Sequence, residues 1–435
     1  MTYIIKRKEC GDMRKKIVAI LAVTLALSMA LSGCGETKNG KKDSGKAKET
    51  GTEKETGTVT LTVWGAEEDQ ALLAEMVESF KAEYAEEADF DITVAAESEA
   101  SCKDALLGDV QNGADVFTFA DDQLLTMVAA GALVPVDNAD EVKKANMEEA
   151  VAAASVNDTL YAYPMTADNG YVMYYDKSVF TDADVASLDQ MMSVAAAANK
   201  KVVMDWTSGW YLYSFFGNTG LNLSLNEDGI TMSCDWNSVE GAVKGVDIAQ
   251  AMLNIAANPG FANMTDADFI EGVKNGSVAA GVSGMWDASA VKAAWGDNMG
   301  VIKLPTYTCA GQQIQMASFK GYKMVGVNAY SKYPEWGLKL ADWITNEQNQ
   351  QLRFTEREQG PSNNNVAASE AVKNASAIQA VIAQAEYATL QRVGNNYWEA
   401  IVTLGTELAA GNPEGTDLQK LMDKTVKAIT APVVQ

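Results

Sequence analysis

The chain has 435 residues, contains no histidine and carries a formal charge of -24. Without histidine there is no Ser-His-Asp or Cys-His triad and no His-bearing zinc site. The acid excess argues against nucleic acid as a partner, because little here would neutralise a phosphate backbone.

In chain order, Arg14-Lys15-Lys16 precedes an apolar run, residues 17–31, that is too short and wrongly flanked for a membrane span. It ends Leu31-Ser32-Gly33-Cys34, which resembles the lipobox of bacterial lipoproteins. The resemblance implies removal of residues 1–33 and lipidation of Cys34. Either Met1 or Met13 could be the start. The next stretch, to residue 58, is rich in Lys, Glu, Thr and Gly and reads as a flexible tether. Residues 1–33 hold a net +4, so the remainder carries -28. That charge keeps a domain off anionic headgroups, so membrane attachment is expected only through the lipid.

From residue 59 the pattern is globular. Strands are predicted at 59–64, 90–95 and 114–119, and helices at 70–84, 101–111 and 121–130. This alternation predicts an α/β fold of βαβ units with a mainly parallel sheet. Two short β pieces, 160–164 and 170–175, are expected around a turn from Thr166 to Gly170. Further strands are expected at 201–205, 278–282, 299–304 and 322–328, with helices at 211–219, 239–256, 269–275 and 335–353. The last segment, 369–429, reads as nearly all helical, broken at 392–396 and 411–413. Cys102, Cys234 and Cys309 form no CxxC pair. Buried reduced thiols or one disulfide are both open.

Four stretches resemble the extracellular solute-binding proteins of ABC importers, the branch that includes maltodextrin-binding proteins. They are Ala114-Asp115-Val116-Phe117-Thr118-Phe119-Ala120-Asp121-Asp122, Tyr163-Pro164-Met165-Thr166-Ala167-Asp168-Asn169-Gly170-Tyr171 leading to Tyr175-Asp176-Lys177, Gly276 through Trp286, and Asn395-Asn396-Tyr397-Trp398. The resemblance implies a two-lobed Venus-flytrap fold, with a solute held in the cleft between lobes. The N-lobe is expected at 59–166 plus 306–368 and the C-lobe at 167–305 plus 369–435.

A sugar offers weakly apolar C–H faces to aromatic rings and hydroxyl edges to carboxylates, amides and cations. The resemblance makes Trp286 and Trp398 stacking rings, with Glu399 beside the second. Asp122 matches an aspartate that accepts sugar hydroxyls, although Asp121 or Asp122 is also expected to cap the next helix. Phe119 stands where relatives often carry tryptophan. Asp168 and Asn169 are placed at the sugar by the resemblance, and are also ordinary turn residues. The loop Asp205-Trp206-Thr207-Ser208-Gly209-Trp210 lacks the expected glutamate, which passes the ring role to Trp210 or Tyr211, with Trp206 equally a core residue. Glu68 and Lys103 are further candidates. Trp236, Trp295, Trp336 and Trp343 read as structural.

The expected function is an oligosaccharide-binding lipoprotein outside the cell membrane that delivers maltodextrin-type ligand to ABC permease subunits. A monomer without cofactor or metal is expected, and no enzyme. A secreted glycosidase using two carboxylates, a receptor for another oligosaccharide, and an adhesin remain the alternatives.

Overall fold

The computed structural model describes residues 57–226 and 230–432. The expected export segment 1–33, the lipidation site Cys34 and the tether up to residue 56 lie outside the described residues.

Ten strands make one mixed sheet. In chain order they are β1 (Thr58–Gly65), β2 (Asp89–Ala96), β3 (Val116–Ala120), β4 (Tyr163–Asp176), β5 (Lys201–Met204), β6 (Phe261–Asn263), β7 (Val278–Gly284), β8 (Met299–Ile302), β9 (Ser318–Val327) and β10 (Ala388–Leu390). The helices that matter below are α1 (Gln70–Glu83), α2 (Asp266–Asn275), α3 (Pro334–Thr345), α4 (Glu347–Arg357), α5 (Ser376–Gln384) and α6 (Asn395–Ala409). The strand order is β6-β5-β7-β4-β9-β3-β1-β2, with β8 on β4 and β10 on β9. Both ends are parallel, as the βαβ alternation implies: β1 with β2 and β3, and β5 with β6 and β7. The middle is antiparallel, where β4 meets β7, β8 and β9, and β9 meets β3.

The middle differs from the sequence reading. Residues 163–176 form one continuous strand, with no turn at Thr166–Gly170. Asp, Asn and Gly favour turns locally, but here β9 and then β8 pair along one edge and β7 along the other. Two register breaks, between Gly321 and Lys323 and between Lys323 and Met324, interrupt the β4–β9 ladder. The helix expected at 335–353 is two, α3 and α4, because the Asn346 side chain accepts from the Asn349 amide and starts a new helix. The helix expected from 239 begins at Gly245.

Two lobes result, each with its own core. The first packs β1 and β3 against α1 and α3: Leu72, Leu73, Met76, Val77 and Phe80 of α1 are all buried, as their spacing requires. Trp336 sits edge-on to Phe90, 4.9 Å between ring centres, and the Trp343 indole donates to the Met76 carbonyl at 3.1 Å. Phe119 is fully buried in this core rather than exposed to ligand. The second core holds Trp206, Phe215 and Trp236, the last stacked on Phe216 at 4.1 Å. Tyr307, Cys309 and Ile314 belong to it as well, through a hairpin of Thr306–Cys309 with Gln312–Gln315. The segment expected in the N-lobe from 306 therefore begins, by packing, with residues of the other core; the chain crosses later, along β9. A third, smaller cluster joins Val172, Phe269 and Met285 to Val366 and Ile378, with Trp295 packed at its edge. Cys102, Cys234 and Cys309 are all free thiols. Among the described residues no helix is long and apolar enough to cross a membrane.

Candidate functional site

A cleft of about 1050 Å³ opens between the lobes. Its walls are built from the carboxyl ends of strands, where α/β sheets expose loops free to contact a ligand. On the first lobe, β1 leads to Glu67 and Glu68, β2 to the loop from Glu97 to Lys103, and β3 to Asp122 and Gln123. On the second, β5 leads to Trp210 and Tyr211, β6 to Asp266, and β7 to Trp286. Asn395 and Trp398 enter from the first turn of α6. Asn169 of β4, Lys323 of β9, and Gln391 and Arg392 after β10 line the crossing region.

Of the residues singled out by sequence, Trp286, Trp398, Asp122, Asn169, Trp210, Tyr211, Glu68 and Lys103 line this cleft. Asp168 and Glu399 do not. Successive side chains of a strand face opposite ways, so with Asn169 on the cleft its neighbour turns inward. Asp168 accepts from the Gly360 amide and borders a separate cavity of about 150 Å³. Glu399 follows Trp398 by a third of a helical turn, which rotates it onto the exposed face of α6.

The rings are held firmly. Trp210 stacks on Phe319, 5.5 Å between centres, and Tyr171 donates its hydroxyl to the Trp210 carbonyl at 2.8 Å. Trp398 lies 5.1 Å from Tyr397, whose buried hydroxyl donates to the Gly209 carbonyl at 2.8 Å. Gly284 has no Cβ for a reason: one would sit 2.2 Å from the Trp286 ring. The Lys323 ammonium stands 5.3 Å from the centre of that ring, a cation–π distance.

Charge is organised around buried groups. Lys323 pairs with Glu99 at 3.4 Å. Burial alone would lower its pKa, but Glu99, Asp69, Asp168 and Glu68 outweigh that and raise it. Glu99 keeps its Oε1 without a hydrogen-bond partner while nearly buried on the cleft wall. Gln123 braces that wall: its amide nitrogen donates to the Glu99 and Ala100 carbonyls and its oxygen accepts from the Lys103 amide at 2.8 Å. Neither Asp121 nor Asp122 caps the following helix with its side chain. Asp121 accepts instead from the Tyr322 amide at 3.0 Å. Burial pushes Asp121 up to about 6; burial, with the Asp121 charge beside it, pushes Asp122 up to about 7. On the opposite wall burial lifts Asp266, and behind that wall burial takes Asp287 up to about 7.

These shifts set a stability profile. A buried acid with a raised pKa binds more protons folded than unfolded between about pH 4 and pH 7, so stability falls as pH rises through that window. The melting temperature in scanning calorimetry is expected to be higher at pH 5.5 than at pH 8; a flat or rising profile would contradict the burial of Asp121, Asp122 and Asp287.

Sequence reasoning missed Asp266, Lys323, Gln391 and Arg392. Asp266 opens a helix, where an acid is ordinary. Lys323 sits in a strand, Gln391 in a stretch read as helical, and Arg392 opens a segment read as a mere break. Only long-range pairing brings them to the cleft. Among the described residues no group of three or more His, Cys, Asp or Glu side chains could hold a metal ion.

A two-lobed α/β protein with a deep cleft lined by tryptophans on one side and carboxylates on the other is a ligand-capture architecture. The family described as bacterial extracellular solute-binding protein matches residues 75–380, and the chain belongs to it. The galactooligosaccharide-binding protein of Bacillus subtilis (strain 168) is 26% identical over 384 residues, covering 86% of each chain. A solved structure of a protein with acarbose is 28% identical with a TM-score of 0.75, over 86% of this chain and 99% of that one. The maltodextrin binding protein of L. casei BL23, solved without ligand, is 23% identical with a TM-score of 0.70, over 87% and 100%.

Proposed function

We propose that this chain is the substrate-binding lipoprotein of an ABC importer, anchored outside the cell membrane by Cys34. It captures maltodextrin-type oligosaccharides and hands them to the permease. The observation that carries the reading is the pairing of Trp210, Trp286 and Trp398 on one lobe with Glu68, Glu99 and Asp122 on the other. Rings cover the apolar faces of a sugar, and carboxylates take its hydroxyls. The ligand touches both walls only when the lobes close, so capture proceeds by population shift toward a closed form. The lobes are proposed as 59–166 with 318–368 and 167–317 with 369–435, the hairpin belonging to the second core. The acarbose-bound relative supports an α-glucan-like ligand; the Bacillus subtilis relative favours a galactooligosaccharide as the second reading.

Calorimetry and small-angle scattering test this. Maltotetraose is expected to bind saturably and to reduce the radius of gyration, without release of shorter sugars. Compaction with galactooligosaccharides alone selects the second reading. Turnover of the sugar would favour a glycosidase, and no response to either sugar would sink the proposal.

A further inference from the structure

Behind the cleft wall, two carboxyls share one hydroxyl. The buried Ser283 Oγ lies 2.6 Å from Asp287 Oδ2 and 3.3 Å from Asp266 Oδ1. Ser283 has a single proton and cannot donate to both. Asp266 also receives the Tyr211 hydroxyl, 2.8 Å from each of its oxygens, and a bond from the Trp286 side chain. Asp287 has no comparable set of donors. Donor counting therefore makes Asp266 the ionised partner and Asp287 the one that carries a proton: Asp287 donates to Ser283, and Ser283 donates to Asp266.

We propose that the chain Asp287–Ser283–Asp266 holds one proton across its two carboxyls and thereby makes ligand capture depend on pH. The inference rests on the reading of the cleft as an oligosaccharide site. Asp266 lines the cleft and Asp287 does not, so Asp287 is a positioning residue that acts through Ser283.

The surroundings agree. Asp287 is faced by Asp266 at the start of α2, Glu68 from the loop after β1, and Arg357 of α4. Tyr174 of β4 and Tyr211 lie near it, Glu358 faces Tyr174, and Asp205 faces Asp266. Arg357 is the one cation in this set, and its Nε is already 3.1 Å from Asp69. Burial, followed by the nearby acids Asp266 and Glu68, leaves Asp287 at about 7. Above that pH the proton is lost, Ser283 turns its hydroxyl to Asp287, and Asp266 loses a donor beside Trp286. A ligand that restores the arrangement must then take a proton from solvent.

The test compares the full chain with Asp287→Asn, whose amide donates to Ser283 at every pH. Titration calorimetry with maltotetraose from pH 5.5 to 8.5 is expected to show the wild-type Kd rising by up to about tenfold per pH unit above pH 7, the limit for one linked proton. Asp287→Asn is expected to lack that rise. Asp121 and Asp122 titrate in both proteins, so the difference between the two slopes is the readout. Without ligand, the protonated-carboxyl infrared band at pH 6 should be stronger in the wild type than in Asp287→Asn, and that excess should fade by pH 8.5. Equal slopes, or an unchanged band, overturn the proposal. If maltotetraose binds neither protein at any pH, the sugar reading fails, and the ligand-free band still decides where the proton sits.

Discussion

Trp286→Ala is expected to weaken maltotetraose binding by about 30-fold or more while the protein remains folded. A buried aromatic anchor at the centre of a contact surface contributes about 2 kcal/mol or more, and each ~1.4 kcal/mol is tenfold in Kd. The ring is half-buried at the edge of the second core, and its remaining surface faces the cleft. Gly284 beneath it, Asp266 beside it and Lys323 near its face hold it in place before ligand arrives, so little ordering entropy is lost on binding. Calorimetric titration and urea unfolding of the same variant check both halves. A stability loss of about 3–5 kcal/mol, the cost of emptying a core aromatic site, with binding intact, would instead make Trp286 a core residue.

The largest stability effect is expected at Asp69→Ala. Asp69 follows β1 and is buried against Arg353, and Arg357 adds a second contact at 3.1 Å. Arg353 is itself only 1% exposed and also donates to Gln359 at 2.9 Å. Removing the carboxylate strands a buried guanidinium, which costs about 3–5 kcal/mol. The double change Asp69→Leu with Arg353→Met should recover part of that loss, because it leaves no charge unpaired. Burial raises the Asp69 pKa, but Arg353, Lys323 and Arg357 together outweigh it and hold the carboxyl below its ordinary value. Its contribution is therefore present above about pH 4 and lost as pH falls below that. Urea unfolding at pH 7 and pH 3 checks it: the gap between wild type and Asp69→Ala should be smaller at pH 3 than at pH 7.

The periodic parts of the fold were legible in the sequence. The α1 face from Leu72 to Phe80 and the strands β1, β2 and β7 follow from apolar spacing alone, and the family resemblance located Trp286 and Trp398. The crossing region was not legible. Pro164, Asp168 and Gly170 are turn formers by local preference, yet pairing on both edges stretches them into β4. Asp168 and Asn169 could not be separated until that strand fixed which one faces the cleft. Asp266 and Lys323 have unremarkable neighbours in sequence, and acquire meaning only from partners such as Tyr211 and Glu99.

The place of β9 in the sheet has a consequence for how the chain folds. It lies between β4 and β3, so until residues 318–327 arrive both of those strands carry an unpaired edge. Asp69 likewise finds Arg353 only 284 residues later. Such distant contacts make folding slow and leave open strand edges prone to wrong pairing in the meantime. A chain truncated before β9 should aggregate rather than form an independent first lobe, and the complete chain should refold over seconds rather than milliseconds.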